Sequence, residues 1–311
     1  MAYFFNAVSS VVIIFLLTAV GYFCAAKGWT NQAVKTFISK FLMNLAIPCM
    51  CIHGLTTNLS RDAISGSWSL LLIAVLVSSA SILLSAGVGV LLKLPHKRRG
   101  VFVMMCGLSN ALFIGYAMCS VLFGEACTPY VMMFYLVNTT FVQLVGIPSV
   151  AWSGEGEGSS VPKLLLRLLR SPTVISVFIS FALLYADVQL PAVVLSFMRY
   201  MNNTVTPLAL LLTGHIIYEI GLKNLRMDLS LFLVACFRFL FAPAMKILLC
   251  RVFGISGLAR SVFVVESAMP VVTQTVVVAT EYKADAEYAA QGAALTTLLS
   301  FLVIPILMII L

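Results

Sequence analysis

RGVFVMMCGLSNALFIGY (Arg99–Tyr116) and RSVFVVESAMPVVTQTVV (Arg260–Val277) stand 161 residues apart in a chain of 311. Both open on arginine and a Val-Phe-Val triplet. Both are apolar enough to lie in a membrane. Both then collect helix-weakening and polar residues near the middle: Gly107, Ser109, Asn110 and Gly115 in the first, Ser267, Pro270, Thr273 and Gln274 in the second. Two further pairs flank them in the same order. Asn44-Leu-Ala-Ile-Pro48 matches Asn203-Thr-Val-Thr-Pro207 at an offset of 159, and Thr139-Thr140 with Ile147-Pro148 matches Thr296-Thr297 with Ile304-Pro305 at 157. Collinear matches at a nearly constant offset are the mark of an internal repeat.

Composition sets the solvent. Hydrophobic residues make up 61% of the chain and charged residues 10%, against about 25% charged in a soluble domain. There is too little polar surface to cover a globule in water. Apolar stretches predict helices near 7–26, 36–56, 68–92, 100–123, 129–151, 172–186, 196–218, 228–250, 260–280 and 287–310, since a span needs about 20 mostly apolar residues. The fold class is therefore an all-α membrane protein with ten transmembrane helices. Five crossings per half is an odd number, so the second half enters from the opposite side and the repeat is inverted. The expected units are 1–152, a cytoplasmic linker 153–171, and 172–311. The linker starts Gly/Ser/Glu-rich and flexible, and its Lys/Arg/Leu end reads as a short interfacial helix.

Loop charge orients the chain. With the N-terminus on side A, side B holds Lys27, Lys35, Lys40, Lys93, Lys97, Arg98, Arg99, Lys163, Arg167, Arg170, Lys223, Arg226 and Lys283. Side A holds only Arg61, Arg199, Arg251 and Arg260. The positive-inside rule makes B cytoplasmic and both termini extracytoplasmic. The net charge of +8 is thus a matter of topology, and no nucleic-acid partner is expected. The first 26 residues lack a basic n-region and read as a helix, not a signal peptide. The eight cysteines show no metal-ligand spacing and read as buried small hydrophobes.

Chemistry is expected at the two breaks. An interrupted helix frees backbone N–H and C=O groups, and in lipid these must face protein, water or ligand. A half-helix N-terminus offers open N–H donors and partial positive charge, which suits a carboxylate. Asn110 is placed to cap one half-helix, and Pro270 to occupy the first turn of another. Ser109, Asn110, Pro270, Val271 and Thr273 form the candidate substrate site. Glu266 is the one carboxylate well inside a predicted span, where ionisable groups are expensive and functional by default. It aligns with the apolar Met105. Three readings stand open: a cation site such as Na⁺, a proton carrier, or a structural pair with Arg238. Met269 and Gln274 join it as coupling candidates. Arg238 is a candidate counter-charge for an anionic substrate. Lys246, near the outer end of its helix, is expected to snorkel. His53 and His215 read as packing residues, and Asn138, Gln143 and Gln291 as interhelical glue. Asn44 and Asn203, at matching repeat positions, are candidates for supporting the crossing. The chain carries no P-loop, HExxH or GxSxG motif, which leaves an enzyme or ATP-driven pump without its parts.

Phe37-Ile-Ser-Lys-Phe-Leu-Met-Asn44-Leu-Ala-Ile-Pro48 resembles the second-helix signature of the auxin efflux carrier family. Ser109-Asn110 to Gly115 with Leu122-Phe-Gly124 resembles its first crossover helix. Met269-Pro270, Ala279-Thr-Glu281-Tyr282 and Leu295-Thr-Thr-Leu298 are similar to its second crossover and last helix. The resemblance implies scaffold and transport domains, a crossing of the fourth and ninth helices, elevator-like movement, and a homodimer. It implies a small organic anion of the malate or malonate kind as substrate. The short linker is as in bacterial members, so the expected location is the plasma (inner) membrane. The related sodium-coupled bile acid transporters share the crossed plan and bind sodium through a ninth-helix glutamate. Pro270 departs from the Gln expected there, so the coupling ion stays open between Na⁺ and H⁺. The alternatives are a sodium-coupled symporter for an amphipathic substrate and a membrane sensor on a transporter-like fold.

Overall fold

A computed structural model describes residues 2–58, 68–155, 161–221 and 225–311. Arg61, Lys223 and the Gly/Ser-rich part of the linker at 156–160 lie outside the described residues. Among those described, regular structure is helical throughout, apart from a single antiparallel bridge. The helices are α1 (Ala2–Ala26), α2 (Gln32–Asn58), α3 (Trp68–Leu91), α4 (His96–Gly107), α5 (Ala111–Phe123), α6 (Glu125–Ser153), α7 (Val161–Leu169), α8 (Pro172–Tyr185), α9 (Ala192–Ile220), α10 (Leu229–Val252), α11 (Gly257–Ser267), α12 (Gln274–Glu281) and α13 (Ala286–Ile310). Five of them, α2, α3, α6, α10 and α13, are long and apolar enough to cross a membrane. Shorter apolar helices include α5 and α8.

Boundaries follow capping chemistry. The second helix starts at Gln32, four residues before the expected 36, because Asn31 accepts a hydrogen bond from the Val34 N–H. Asp228 and Asp285 cap α10 and α13 in the same way. The two expected helices 100–123 and 260–280 are each two helices with extended backbone between them, at 108–110 and around 270–272. The amphipathic end of the linker is α7, with Leu165, Leu166 and Leu169 exposed on it.

Proline inside an apolar helix removes one N–H and crowds the preceding carbonyl. Three helices answer with a wider π turn just before the proline: 42–46 before Pro48, 142–146 before Pro148, and 237–241 before Pro243. Single π turns re-pair the displaced carbonyls, which lipid cannot do. The matched prolines of the second half, Pro207 and Pro305, sit inside plain α-helix.

The tightest seam joins α1 to α9. Gly21 rests on the Leu211 backbone, and Gly214 on the backbone of Thr18 and Tyr22. Small residues let membrane helices approach this closely. Large apolar side chains such as Leu83, Leu91 and Val193 remain exposed on the outside, as a surface solvated by lipid requires. Ion pairs among the described residues collect at the side-B end: Lys35–Glu219, Lys97–Glu155, Arg98–Asp228, Arg98–Asp285, Lys283–Glu155 and His215–Glu219. There the Lys283 ammonium donates to Glu155 at 2.7 Å and holds that carboxyl below its usual range.

Gly214→Val places a branched side chain against the α1 backbone. We expect a loss of about 2 kcal/mol or more from overpacking and a lower unfolding temperature in detergent. An unchanged melting curve would show that the seam yields easily.

Candidate functional site

The two breaks meet. Leu108–Asn110 and Pro270–Val272 run antiparallel, with Ser109 opposite Val271. The Asn110 N–H donates to the Pro270 carbonyl at 2.8 Å, and the Val272 N–H to the Leu108 carbonyl at 3.4 Å. Each broken helix thus supplies hydrogen-bond partners for the other.

Side chains from neighbouring helices satisfy what remains. Asn138 on α6 donates to the Ser109 carbonyl at 2.9 Å and accepts from the Ser109 N–H at 3.1 Å. Thr296 on α13 accepts from the Val271 N–H at 3.1 Å. These two supports sit one residue out of register in the repeat, because Thr296 matches Thr139. Arg238 in the π turn of α10 donates to the Met269 carbonyl at 2.9 and 3.0 Å and to the Ser267 carbonyl at 2.7 Å. It is 2% exposed. Its observed hydrogen bonds hold the C-terminal end of α11, and it is not among the residues lining the cavities described below.

Asn110 stands at the N-cap position of α5, but its side chain makes no capping bond. Its amide nitrogen is buried with no hydrogen-bond partner. Pro270 is not in a first helical turn: it lies in the extended segment, and α12 starts at Gln274. Proline fits there because its carbonyl is used and its missing N–H is not needed. The N-terminal ends of α5 and α12 open on one pocket of about 80 Å³, lined by Ser109, Asn110, Ala111, Asn138, Thr273 and Gln274 among others. That pocket shares Met43, Asn110, Phe113, Thr273 and Gln274 with a cavity of about 650 Å³ that reaches Lys35 and Glu219. Leu212, Ile216, Val276 and Val277 make its walls largely apolar. Pro270 and Val271, both expected in the substrate site, are not among the residues lining this space, while Thr273 and Gln274 are.

Glu266 is elsewhere. It is fully buried, with one carboxylate oxygen 3.6 Å from the Cys119 sulfur, and the other oxygen has no hydrogen-bond partner. The carboxylate packs on Gly115, where any Cβ would collide with it. Glu266 and Gln274 therefore do not share a site, and the Met269 carbonyl is taken by Arg238. Among the described residues no cluster of three or more His, Cys, Asp or Glu is poised for a metal.

Lys246 does not snorkel. It is 1% exposed, and its ammonium lies 4.0 Å from the Phe134 ring centroid and 5.0 Å from that of Phe263. Phe263 is one turn before Glu266 on α11. The supports proposed from the repeat are misplaced too. Asn44 is exposed and donates within its own helix to the Lys40 carbonyl. Asn203 is exposed, whereas its neighbour Asn202 is buried and accepts from the Tyr116 hydroxyl at 2.8 Å.

The family described as membrane transport protein matches residues 6–308, and the chain belongs to this auxin efflux carrier family of multi-pass membrane transporters. It is 26% identical to an uncharacterized transporter of Methanocaldococcus jannaschii over 303 residues, covering 94% of this chain and 95% of that protein. It is 24% identical to an uncharacterized transporter of Methanothermobacter thermautotrophicus over 311 residues, covering 97% and 98%.

Arg238→Met leaves buried carbonyls without donors. A loss of about 3 kcal/mol is expected, the scale of a broken buried charge-assisted network. Chemical denaturation of the variant in mixed micelles measures it; a loss under 1 kcal/mol would mean that other donors take over.

Proposed function

We propose that this transporter carries a small organic anion, of the malate or malonate kind, and grips its carboxylate at the crossing. One observation carries the reading: the positive ends of two half-helices open on the same pocket, with the unpartnered Asn110 amide between them. A carboxylate supplies the acceptors that these donors lack. The chain is a secondary transporter of ten spans, in two inverted halves 1–152 and 172–311 joined by 153–171. It lies in the plasma (inner) membrane with both termini outside, as a homodimer. The helices α1, α2, α8 and α9 form the scaffold. The crossing moves against it as an elevator, opening the cavity to one side at a time. In the present conformation the cavity reaches toward the side-B end, which the charge pattern makes cytoplasmic.

Glu266 carries the coupling proton in this reading. Its buried, thinly solvated carboxylate suits a proton better than a sodium ion, which would need more oxygen ligands. A second substrate reading, a carboxylate with an apolar body, is favoured by the cavity walls of Leu212, Ile216, Val276 and Val277.

Uptake of malate, malonate and a longer aliphatic monocarboxylate into proteoliposomes, with Na⁺ and proton gradients imposed separately, tests the proposal. Asn110→Ala is expected to lower uptake at least about tenfold, the scale of a lost charge-assisted hydrogen bond, with folded protein retained. Normal uptake by that variant would remove the crossing as the binding site. Binding without flux in the unaltered protein would make it a sensor. Glu266→Gln is expected to abolish proton-driven uptake; a variant that still responds fully to an imposed pH gradient would exclude Glu266 as the carrier.

A further inference from the structure

The large cavity has a charged mouth that the crossing does not use. Among the described residues lining it, Lys35 and Glu219 are the charged ones. The Lys35 ammonium donates to one Glu219 oxygen at 2.5 Å. His215 Nε2 lies 3.1 Å from the other oxygen, and His215 Nδ1 lies 2.7 Å from the Thr30 hydroxyl. Thr30 and His215 thus fix Glu219 in place, and Glu219 in turn sits on Lys35. Both partners of the ion pair are partly exposed, at 27% and 38% of their side-chain areas, so solute can reach them.

The position matters. Lys35 and Met43 are eight residues apart on α2, about 12 Å of helix rise. Met43 lines the inner pocket beside Asn110. The cavity therefore runs from one cation at its mouth to the half-helix ends at its floor, along mostly apolar walls. An ammonium has three donors, and Glu219 takes one. The pair already shows the chemistry of the site: a carboxylate resting on Lys35.

We propose that Lys35 is an outer anion subsite, partly masked by Glu219, that receives the carboxylate of an entering substrate before that group reaches the crossing. The proposal rests on the reading of the crossing as a carboxylate site. Glu219 sets the strength of the subsite, because its charge both occupies Lys35 and repels the incoming anion. His215 and Thr30 keep Glu219 from swinging away.

Malonate binding to the purified full-length protein in detergent, by titration calorimetry, tests this. Glu219→Gln is expected to bind malonate about fivefold more tightly, the scale of one partly exposed charge pair. Lys35→Met is expected to bind it about fivefold more weakly, with Lys35→Arg close to the unaltered protein. Both shifts should shrink in high salt. Unchanged or weaker binding in Glu219→Gln, or unchanged binding in Lys35→Met, overturns the subsite. The Asn110→Ala variant separates the two readings. If it binds malonate as well as the unaltered protein, the crossing reading falls, while the Lys35 and Glu219 shifts still decide the mouth. If the unaltered protein binds no malonate, a gain in Glu219→Gln alone supports the subsite, and no binding in either sinks it. Thermal unfolding of each variant confirms that the comparison is between folded proteins.

Discussion

A backbone amide that leaves a helix inside a membrane must find a partner without water, and the centre of this protein is organised by that constraint. The fourth and ninth spans of the expected topology are both broken, and each break is tolerable because the other is there. The hydrogen bonds between Leu108–Asn110 and Pro270–Val272 are the shortest stretch of sheet a protein can have. Asn138, Thr296 and Arg238 close the remaining gaps from three different helices. Beside them the Asn110 amide nitrogen is buried without a hydrogen-bond partner, as are several other polar side-chain atoms among the described residues.

The same constraint shapes the intact helices. Pro48, Pro148 and Pro243 each follow a π turn, which widens the helix until its carbonyls find donors again. Charges obey a parallel rule. Arg238 is buried because carbonyls surround it, and Lys246 because two aromatic faces do. Glu266 packs on a glycine and a thiol. None of the three lines the large cavity, whose charged residues among those described are Lys35 and Glu219.

Much of this was legible in the sequence. Repeat offsets placed both breaks within a residue or two, and composition placed the chain in lipid. What could not be read was the direction of side chains. Neighbouring helical residues point about 100° apart, so the repeat drew attention to Asn203 when Asn202 is the buried one. The interhelical role expected of Asn138 is its actual role, but nothing local tied it to Ser109. Lys246 looked free to snorkel because the rings that hold it come from residues 112 positions earlier and 17 later in the chain. Asn110 stands at the N-cap position but makes no capping bond; a capping residue and a residue with a spare donor look alike in sequence.

The seam between Gly21 and Gly214 couples distant parts of the gene product in time. The α1 helix comes off the ribosome about 190 residues ahead of the stretch of α9 that covers it. At about 5–20 residues per second, it waits roughly 10–40 s in the bilayer with its small-residue groove facing lipid. A helix with no charged side chain from Ala2 to Ala26 can wait there as an inserted span. Closure of the α1–α9 seam is then a late event of synthesis, and the order of translation brings α9 to a first helix that was made long before it.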